Sequence, residues 1–266
     1  MIATIPNEPV DIPRIVTQWA AGRTVQPVWR NELGGLTFQI GHGDTRQFVK
    51  WTPAESGIEL TDEITRLDWA AHFTTVPHVV DSGSDQHGSW IITNGLPGRS
   101  AVDDTWKHDP ATAVRAIGTG LRALHDALPV AQCPFDWSAQ TRLAKIRART
   151  GTVAWPLDLG YPGGHVASFA DALDLLTDIP PVDRLVVCHG DACAPNTLIG
   201  DDGTCTGHVD LGTMGLADRW ADLAVATWST HWNYGPGWEP LLLDAYGIAP
   251  DQRRISYYRL LWELAD

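Results

Sequence analysis

The sequence predicts an α+β protein built in two lobes, a small β-rich one over residues 1–97 and a larger, mainly helical one over residues 98–266, with a cleft between them. Three observations carry that expectation. The first part breaks into short extended runs separated by glycine turns. The second carries apolar residues at helical spacing, and Leu96-Pro97-Gly98 interrupts the pattern between the two. A chain of 266 residues is long enough to bury a core in each part, and 44% hydrophobic against 19% charged residues marks it as globular.

The elements follow in order. Val25–Trp29, Leu36–Ile40 and Gln47–Trp51 read as strands, broken by Gly34-Gly35 and by Gly41-His42-Gly43-Asp44. Leu60, Ile64, Leu67 and Ala71 recur at helical intervals, which predicts one helix from Leu60 to Phe73. His78–Asp81 and Ser89–Thr93 are two further strands. Beyond the boundary, Asp109 with Pro110 caps a helix carrying Val114, Ile117, Leu121, Leu124 and Leu128. Ser138 caps another through Leu143 and Ile146. Residues 151–164 read as an irregular loop, and Val166, Phe169, Leu173 and Leu176 mark the next helix. The apolar strand Leu185–Cys188 comes next, and helices near 218–231, 236–246 and 250–264 close the chain.

Composition narrows the partners. The formal charge of −13, from 32 acidic and 19 basic residues, repels nucleic acid and anionic membrane and favours cationic or neutral small ligands. Acidity that only maintains solubility is the plainer account of the same number. Cys133, Cys188, Cys193 and Cys205 form no C-x-x-C pair, so buried reduced thiols of a cytosolic protein are expected. The N-terminus lacks a basic start followed by an apolar run, and no apolar stretch approaches the roughly 20 residues needed to cross a bilayer. The expectation is a soluble cytoplasmic protein without a nucleic-acid or membrane partner.

The chemistry concentrates in His189-Gly190-Asp191-Ala192-Cys193-Ala194-Pro195-Asn196. An Asp and an Asn five positions apart, just after a buried strand, have the spacing of a kinase catalytic loop. Phosphoryl transfer from ATP needs a carboxylate near the hydroxyl proton and metal ligands that neutralise the phosphates. Thr197–Ile199 and Cys205–Val209 flank the turn Gly200-Asp201-Asp202-Gly203, so a hairpin is expected to bring Asn196 and Asp210 together as hard oxygen ligands for magnesium. Asp210-Leu211-Gly212 repeats the Asp-x-Gly form of the kinase metal segment. Upstream, Lys50 sits in an otherwise apolar strand and needs a charge partner. Glu63 shares a helix face with Leu60 and Leu67. A strand lysine paired with a helix glutamate is the kinase device for the α- and β-phosphates.

These residues resemble the aminoglycoside 3′-phosphotransferase family, relatives of the eukaryotic protein kinases. The likeness runs from about Lys50 to Leu264. It is strongest in Val187–Asn196 and in Gly215-Leu216-Ala217-Asp218-Arg219, and it continues in Cys133–Asp136, Asp62-Glu63 and Tyr258–Leu261. The resemblance implies a two-lobed protein-kinase-like fold and an ATP- and Mg2+-dependent phosphotransferase acting on a hydroxyl of a small molecule, an aminoglycoside, a sugar or another; GTP stays open as the donor. It makes Asp191 the base, Asn196 and Asp210 the magnesium ligands, Lys50 the phosphate-binding lysine and Glu63 its partner. It also implies that Asp222 supports the catalytic loop and that Asn94 and Gly95 receive the adenine.

The sequence departs from the family in specific places. Asn31-Glu32-Leu33-Gly34-Gly35 replaces the usual Gly-x-Ser start of the nucleotide loop, although Gly34 and Gly35 still allow close approach of a phosphate. Thr213 stands where arginine usually follows Asp-x-Gly. The family binds its cationic drugs through clustered carboxylates; this chain retains Asp158 and Glu263 and offers Trp228, Trp232 and Trp262 instead, among 13 tryptophans in all. Those tryptophans either pack helix against helix or form an aromatic wall for a less cationic substrate. Two other functions compete. His189-x-Asp191 and His208-x-Asp210 would suit a metal-dependent hydrolase, and the altered nucleotide loop would suit a catalytically silent nucleotide binder.

Overall fold

The structure is a computed structural model and describes residues 6, 8–31, 33–148, 166 and 168–265. The chain divides into two compact units, Met1–Pro97 and Gly98–Asp266.

The first unit is a five-stranded antiparallel sheet of β1 (Val25–Arg30), β2 (Leu36–Ile40), β3 (Gln47–Pro53), β4 (Val79–Asp85) and β5 (Gly88–Asn94), in the order β1-β2-β3-β5-β4. Alternation along the strands sends Phe38, Ile40, Val49 and Ile92 into one core. Helix α1 (Arg14–Ala20) covers that core with Val16 and Ala20. The sequence reading expected a single helix here, because seven residues are too few to display a period; α1 is held by its contact with the sheet. Helix α2 (Thr61–Ala70) buries Glu63, Leu67 and Ala70, with Leu60 buried at its N-cap, while Ile64 and the C-cap Ala71 are only half-buried. The packed stripe is therefore rotated toward Glu63, and a carboxylate on a buried stripe demands a partner.

The second unit is dominated by α4 (Pro110–Ala127), α5 (Ala139–Ala148), α6 (Phe169–Thr177), α7 (Trp220–Tyr234), α8 (Glu239–Tyr246) and α9 (Gln252–Ala265), with α3 (Asp104–Lys107) ahead of them. The Asp109 side chain accepts from the Thr112 N–H, and Ser138 Oγ accepts from the Thr141 N–H, as the capping residues predict. Two small sheets complete the unit. β7 (Leu185–Cys188) pairs antiparallel with β10 (Gly215–Asp218), and β8 (Thr197–Ile199) lies between β6 (Arg99–Ser100) and β9 (Cys205–His208). β10 escaped the sequence reading, which started a helix at 218. Its four residues carry no alternation, and only the distant partner β7 makes them a strand, so α7 begins at Trp220. All four cysteines are free, as expected, but only Cys188 is buried and the other three are half-buried. Among the described residues no helix is long and apolar enough to cross a membrane.

Candidate active site

The β8–β9 hairpin forms as the turn residues predict. Thr197 faces His208, and the Val209 N–H donates to the Asn196 carbonyl at 3.0 Å, so Asn196 and Asp210 stand at the open end. Asp210 adopts φ 62°, a left-handed conformation uncommon for a residue with a Cβ. Such backbone costs about 1–3 kcal/mol and persists where the surroundings over-determine it, which is a common condition of functional sites. Asn196 ends a 3-10 turn, Ala194–Asn196, whose first N–H donates to Ser229 Oγ at 2.8 Å. Its Nδ2 donates to the main-chain oxygen of Asp191 at 3.0 Å and to Asp191 Oδ2 at 3.1 Å. With the nitrogen committed, the amide oxygen of Asn196 is the atom available to a cation.

Asp191 follows β7 through a tight turn. Gly190 has φ 90°, and a Cβ there would lie 2.4 Å from the Thr213 carbonyl oxygen, so only glycine fits. The N–H groups of His189 and Gly190 donate to Asp222 Oδ2 and Oδ1 at 2.6 and 2.9 Å, the support that the resemblance implies. Burial pushes Asp222 up, but the His125 hydrogen bond and neighbouring donors outweigh it and hold the carboxyl below its usual range. Asp191 is raised, first by burial and then by the negative charge of Asp210; Cys193, His189 and Asn196 pull the other way. Its buried Oδ1 takes no well-formed hydrogen bond from the described residues, the Cys193 thiol offering only a weak one. An under-satisfied carboxylate oxygen beside Asp210 and the free side of Asn196 is a donor set of hard oxygens, which fits magnesium.

The histidines do not fit a metallohydrolase. His189 Nε2 donates to the Val209 carbonyl at 3.0 Å and its Nδ1 accepts the Asp191 N–H at 3.3 Å, so both ring nitrogens are occupied. His208 is buried against the His189 ring, and burial foremost, then His189, lowers its pKa to about 3.

In the first unit, Lys50 Nζ meets Glu63 Oε2 at 2.7 Å, joining β3 to α2. In the loop after β1, Gly34 has φ 85°, and the N–H groups of Leu33 and Gly35 donate to Asn31 Oδ1 at 3.0 and 2.7 Å. Glu32 lies outside the described residues. Asn94 ends β5 and donates its N–H to the His78 carbonyl; the Gly95 N–H donates to the Arg46 carbonyl at 2.8 Å. Both N–H groups are thus used within this unit. Of the residues assigned to substrate, Asp158 lies outside the described residues and Glu263 is half-buried on α9. Trp228 (9% exposed) and Trp232 (46%) stack on α7 with ring centroids 4.7 Å apart, and Trp262 of α9 closes the cluster at 6.3 and 5.8 Å.

The sequence reading passed over His125 and Ser229. His125 shares the apolar stripe of Leu121, Leu124 and Leu128, and a histidine there signals a buried polar partner. Ser229 carries no such signal.

The phosphotransferase enzyme family profile matches residues 26–258. The aminoglycoside 3'-phosphotransferase of Streptomyces fradiae is 34% identical over 253 residues, 87% of this chain and 91% of that one. The chain belongs to the aminoglycoside phosphotransferase family. As a member of that family it is an ATP-dependent small-molecule O-phosphotransferase, with the family's kinase-like fold. The solved structure of aminoglycoside phosphotransferase APH(3'')-Id from Streptomyces rimosus aligns with TM-score 0.76 at 25% identity, over 94% of this chain and 96% of that one. The same enzyme in complex with ADP and streptomycin aligns with TM-score 0.70 at 26% identity, over 94% and 97%. Membership disposes of the hydrolase reading, which the occupied histidines already disfavour.

Proposed function

We propose that this phosphotransferase moves the γ-phosphoryl group of ATP to a hydroxyl of an aminoglycoside-type sugar, with Asp191 as base, Asn196 and Asp210 as Mg2+ ligands, and an acceptor less densely cationic than the family's usual drugs. The observation that carries the reading is the convergence of Asn196 and Asp210 on the under-satisfied carboxylate of Asp191. Magnesium, when bound, supplies the positive charge that neutralises phosphate oxygens. Asp191 accepts the proton as the acceptor oxygen bonds to the γ-phosphorus and ADP departs with the electrons of the broken P–O bond. A raised carboxyl suits that task, because a more basic carboxylate takes the proton more readily. Asn196 steadies Asp191 through Nδ2 and presents its oxygen to the metal. Lys50, held by Glu63, neutralises the α- and β-phosphates; Gly34 and Gly35 let the loop after β1 approach them, and Asn94 and Gly95 border the adenine.

The acceptor follows from charge. Each carboxylate–ammonium hydrogen bond is worth about 1.5–3 kcal/mol, so a site with tryptophans in place of acids favours a less cationic acceptor. Glu239 is paired with Arg259 at 2.9 Å, and the Arg259 guanidinium sits 5.6 Å from the Trp228 ring centre. Glu263 is half-buried on α9, the helix that also carries Trp262, and Asp158 lies outside the described residues.

An ADP-release assay with ATP and magnesium, across aminoglycosides, free sugars and amino alcohols, tests this, with Asp191→Ala as control. Turnover of weakly cationic acceptors that the control abolishes supports the reading. Fastest turnover of the most densely cationic aminoglycosides refutes the acceptor class, and undiminished turnover by the control refutes the base.

A further inference from the structure

Behind the catalytic loop lies a buried polar chain that the phosphotransfer reading leaves unused. Tyr246 ends α8, His125 lies in the last turn of α4, and Asp222 lies in the first turn of α7. The Tyr246 hydroxyl meets His125 Nδ1 at 2.8 Å, and His125 Nε2 meets Asp222 Oδ2 at 2.9 Å. The side chains of His125 and Asp222 are wholly buried. Asp222 in turn holds the N–H groups of His189 and Gly190, and the next residue is Asp191.

The partners fix the direction of every bond. Asp222 accepts the N–H groups of His189 and Gly190 and is held below the usual carboxylate range, so it is a charged acceptor and the proton between it and the ring belongs to Nε2. With that proton on Nε2, Nδ1 presents a lone pair, and the Tyr246 hydroxyl is the donor that meets it at 2.8 Å. We propose that His125 is a positioning residue for phosphoryl transfer, held by the Tyr246 hydroxyl in the Nε2–H tautomer so that it donates to Asp222 and fixes the two N–H groups that orient Asp191.

The opposite tautomer would turn a nitrogen lone pair on a carboxylate oxygen. Asp222 would have to rotate, and the same oxygen also carries the His189 N–H. The fault would reach Asp191 two residues on. Cys188 shares the cluster but does not compete: burial pushes its thiol well up, and it donates to the Asp218 carbonyl at 3.4 Å. The cluster is a hydrogen-bond chain, and its three potential ligands are committed to one another and to the backbone.

The inference rests on Asp191 as the base, and its test separates the two. Full-length wild type, Tyr246→Phe, His125→Gln, His125→Ala and Asp191→Ala are compared under conditions where urea titration shows each to be folded. The readouts are kcat and KM with ATP and the best acceptor of the panel above, together with 15N NMR of the histidine rings, which needs no acceptor. Tyr246→Phe keeps the ring packing against His125 and is expected to lower kcat about tenfold, the equivalent of one hydrogen bond, with both KM values nearly unchanged. The wild-type ring is expected as a single Nε2–H form, with an Nδ1 resonance that shifts in Tyr246→Phe as the hydrogen bond from the phenol is lost. His125→Gln retains an N–H for Asp222 and is expected to outperform His125→Ala. An Nδ1–H or doubly protonated ring in the wild type, an unaltered kcat in Tyr246→Phe, or His125→Gln no better than His125→Ala would each overturn the inference. Undiminished turnover by Asp191→Ala would instead remove the base it depends on, leaving the tautomer result standing.

Discussion

Asn196 grips Asp191 at two points, its Nδ2 donating to the main-chain oxygen at 3.0 Å and to the carboxylate at 3.1 Å. On the proposed reading, one side chain serves the base with its nitrogen and offers its oxygen to the metal. Asn196→Ala removes both services. Losing a hydrogen bond to a charged group costs about 1.5–3 kcal/mol, so kcat should fall roughly 10- to 100-fold. The magnesium concentration for half-maximal rate should rise at the same time. A rate loss with an unchanged magnesium requirement would confine Asn196 to positioning the base.

Asp222 organises the loop from behind. Asp222→Ala would strand two buried backbone N–H groups and the His125 ring, at about 1–3 kcal/mol for each unsatisfied group. A loss of about 3 kcal/mol or more in urea unfolding is expected, and Asp222→Asn should recover part of it, because its oxygen still accepts one N–H. Unchanged stability in the alanine variant would count against the network.

Two glycines separate hard from soft crowding. A Cβ on Gly190 would meet the Thr213 carbonyl at 2.4 Å in a left-handed conformation, and no side-chain change relieves that contact. A Cβ on Gly120 would meet Cys205 Sγ at 2.5 Å and Cβ at 2.6 Å, pressing on the hairpin that carries Asn196 and Asp210. Gly120→Ala should cost about 1–3 kcal/mol, and adding Cys205→Ala should restore part of it. Gly190→Ala should cost more, with no rescue by that second change. Thermal or urea unfolding of the four variants decides it.

These cases show what the sequence could disclose. The hairpin was legible because its turn, Gly200-Asp201-Asp202-Gly203, lies between its own strands, so Asn196 and Asp210 could be brought together on paper. The Lys50–Glu63 pair was legible because a lysine in an apolar strand requires a counter-charge. β10 was not, since Gly215–Asp218 becomes a strand only beside β7. The chain from Tyr246 to Asp222 joins residues about a hundred positions apart, and a single histidine on an apolar stripe was its one trace. The loop after β1 was legible as an altered nucleotide loop with two permissive glycines, but not the bonds by which Asn31 accepts from Leu33 and Gly35.

The Lys50–Glu63 pair should act on the nucleotide. At 2.7 Å the carboxylate fixes the ammonium, although 27% of the lysine side chain is exposed and the pair contributes little to stability by itself. Glu63→Gln keeps a hydrogen-bond acceptor but removes the charge. It should raise KM for ATP several-fold, with the acceptor KM unchanged, and Lys50→Ala should do more. Equal effects on both KM values would point to a general loss of structure.

Trp228 and Trp232 offer a cleaner division, because one is buried and the other is 46% exposed in the same stack. Trp228→Ala opens a cavity against Trp262 and strips the face that Arg259 covers, so it should cost about 3–5 kcal/mol of stability. Trp232→Ala removes little buried area and should leave folding nearly intact. If its ring stacks on the acceptor, the acceptor KM should rise about fivefold or more, since a ring contact is worth about 0.5–1.5 kcal/mol beyond its area, while KM for ATP stays constant. Trp232→Asp carries the argument one step further. It places a carboxylate at an exposed position of the cluster and should shift preference toward more highly charged acceptors, because each new ammonium contact is charge-assisted. Competition between a neutral sugar and a polycationic aminoglycoside gives the ratio directly, and a ratio unmoved by either substitution would leave the tryptophans with packing alone.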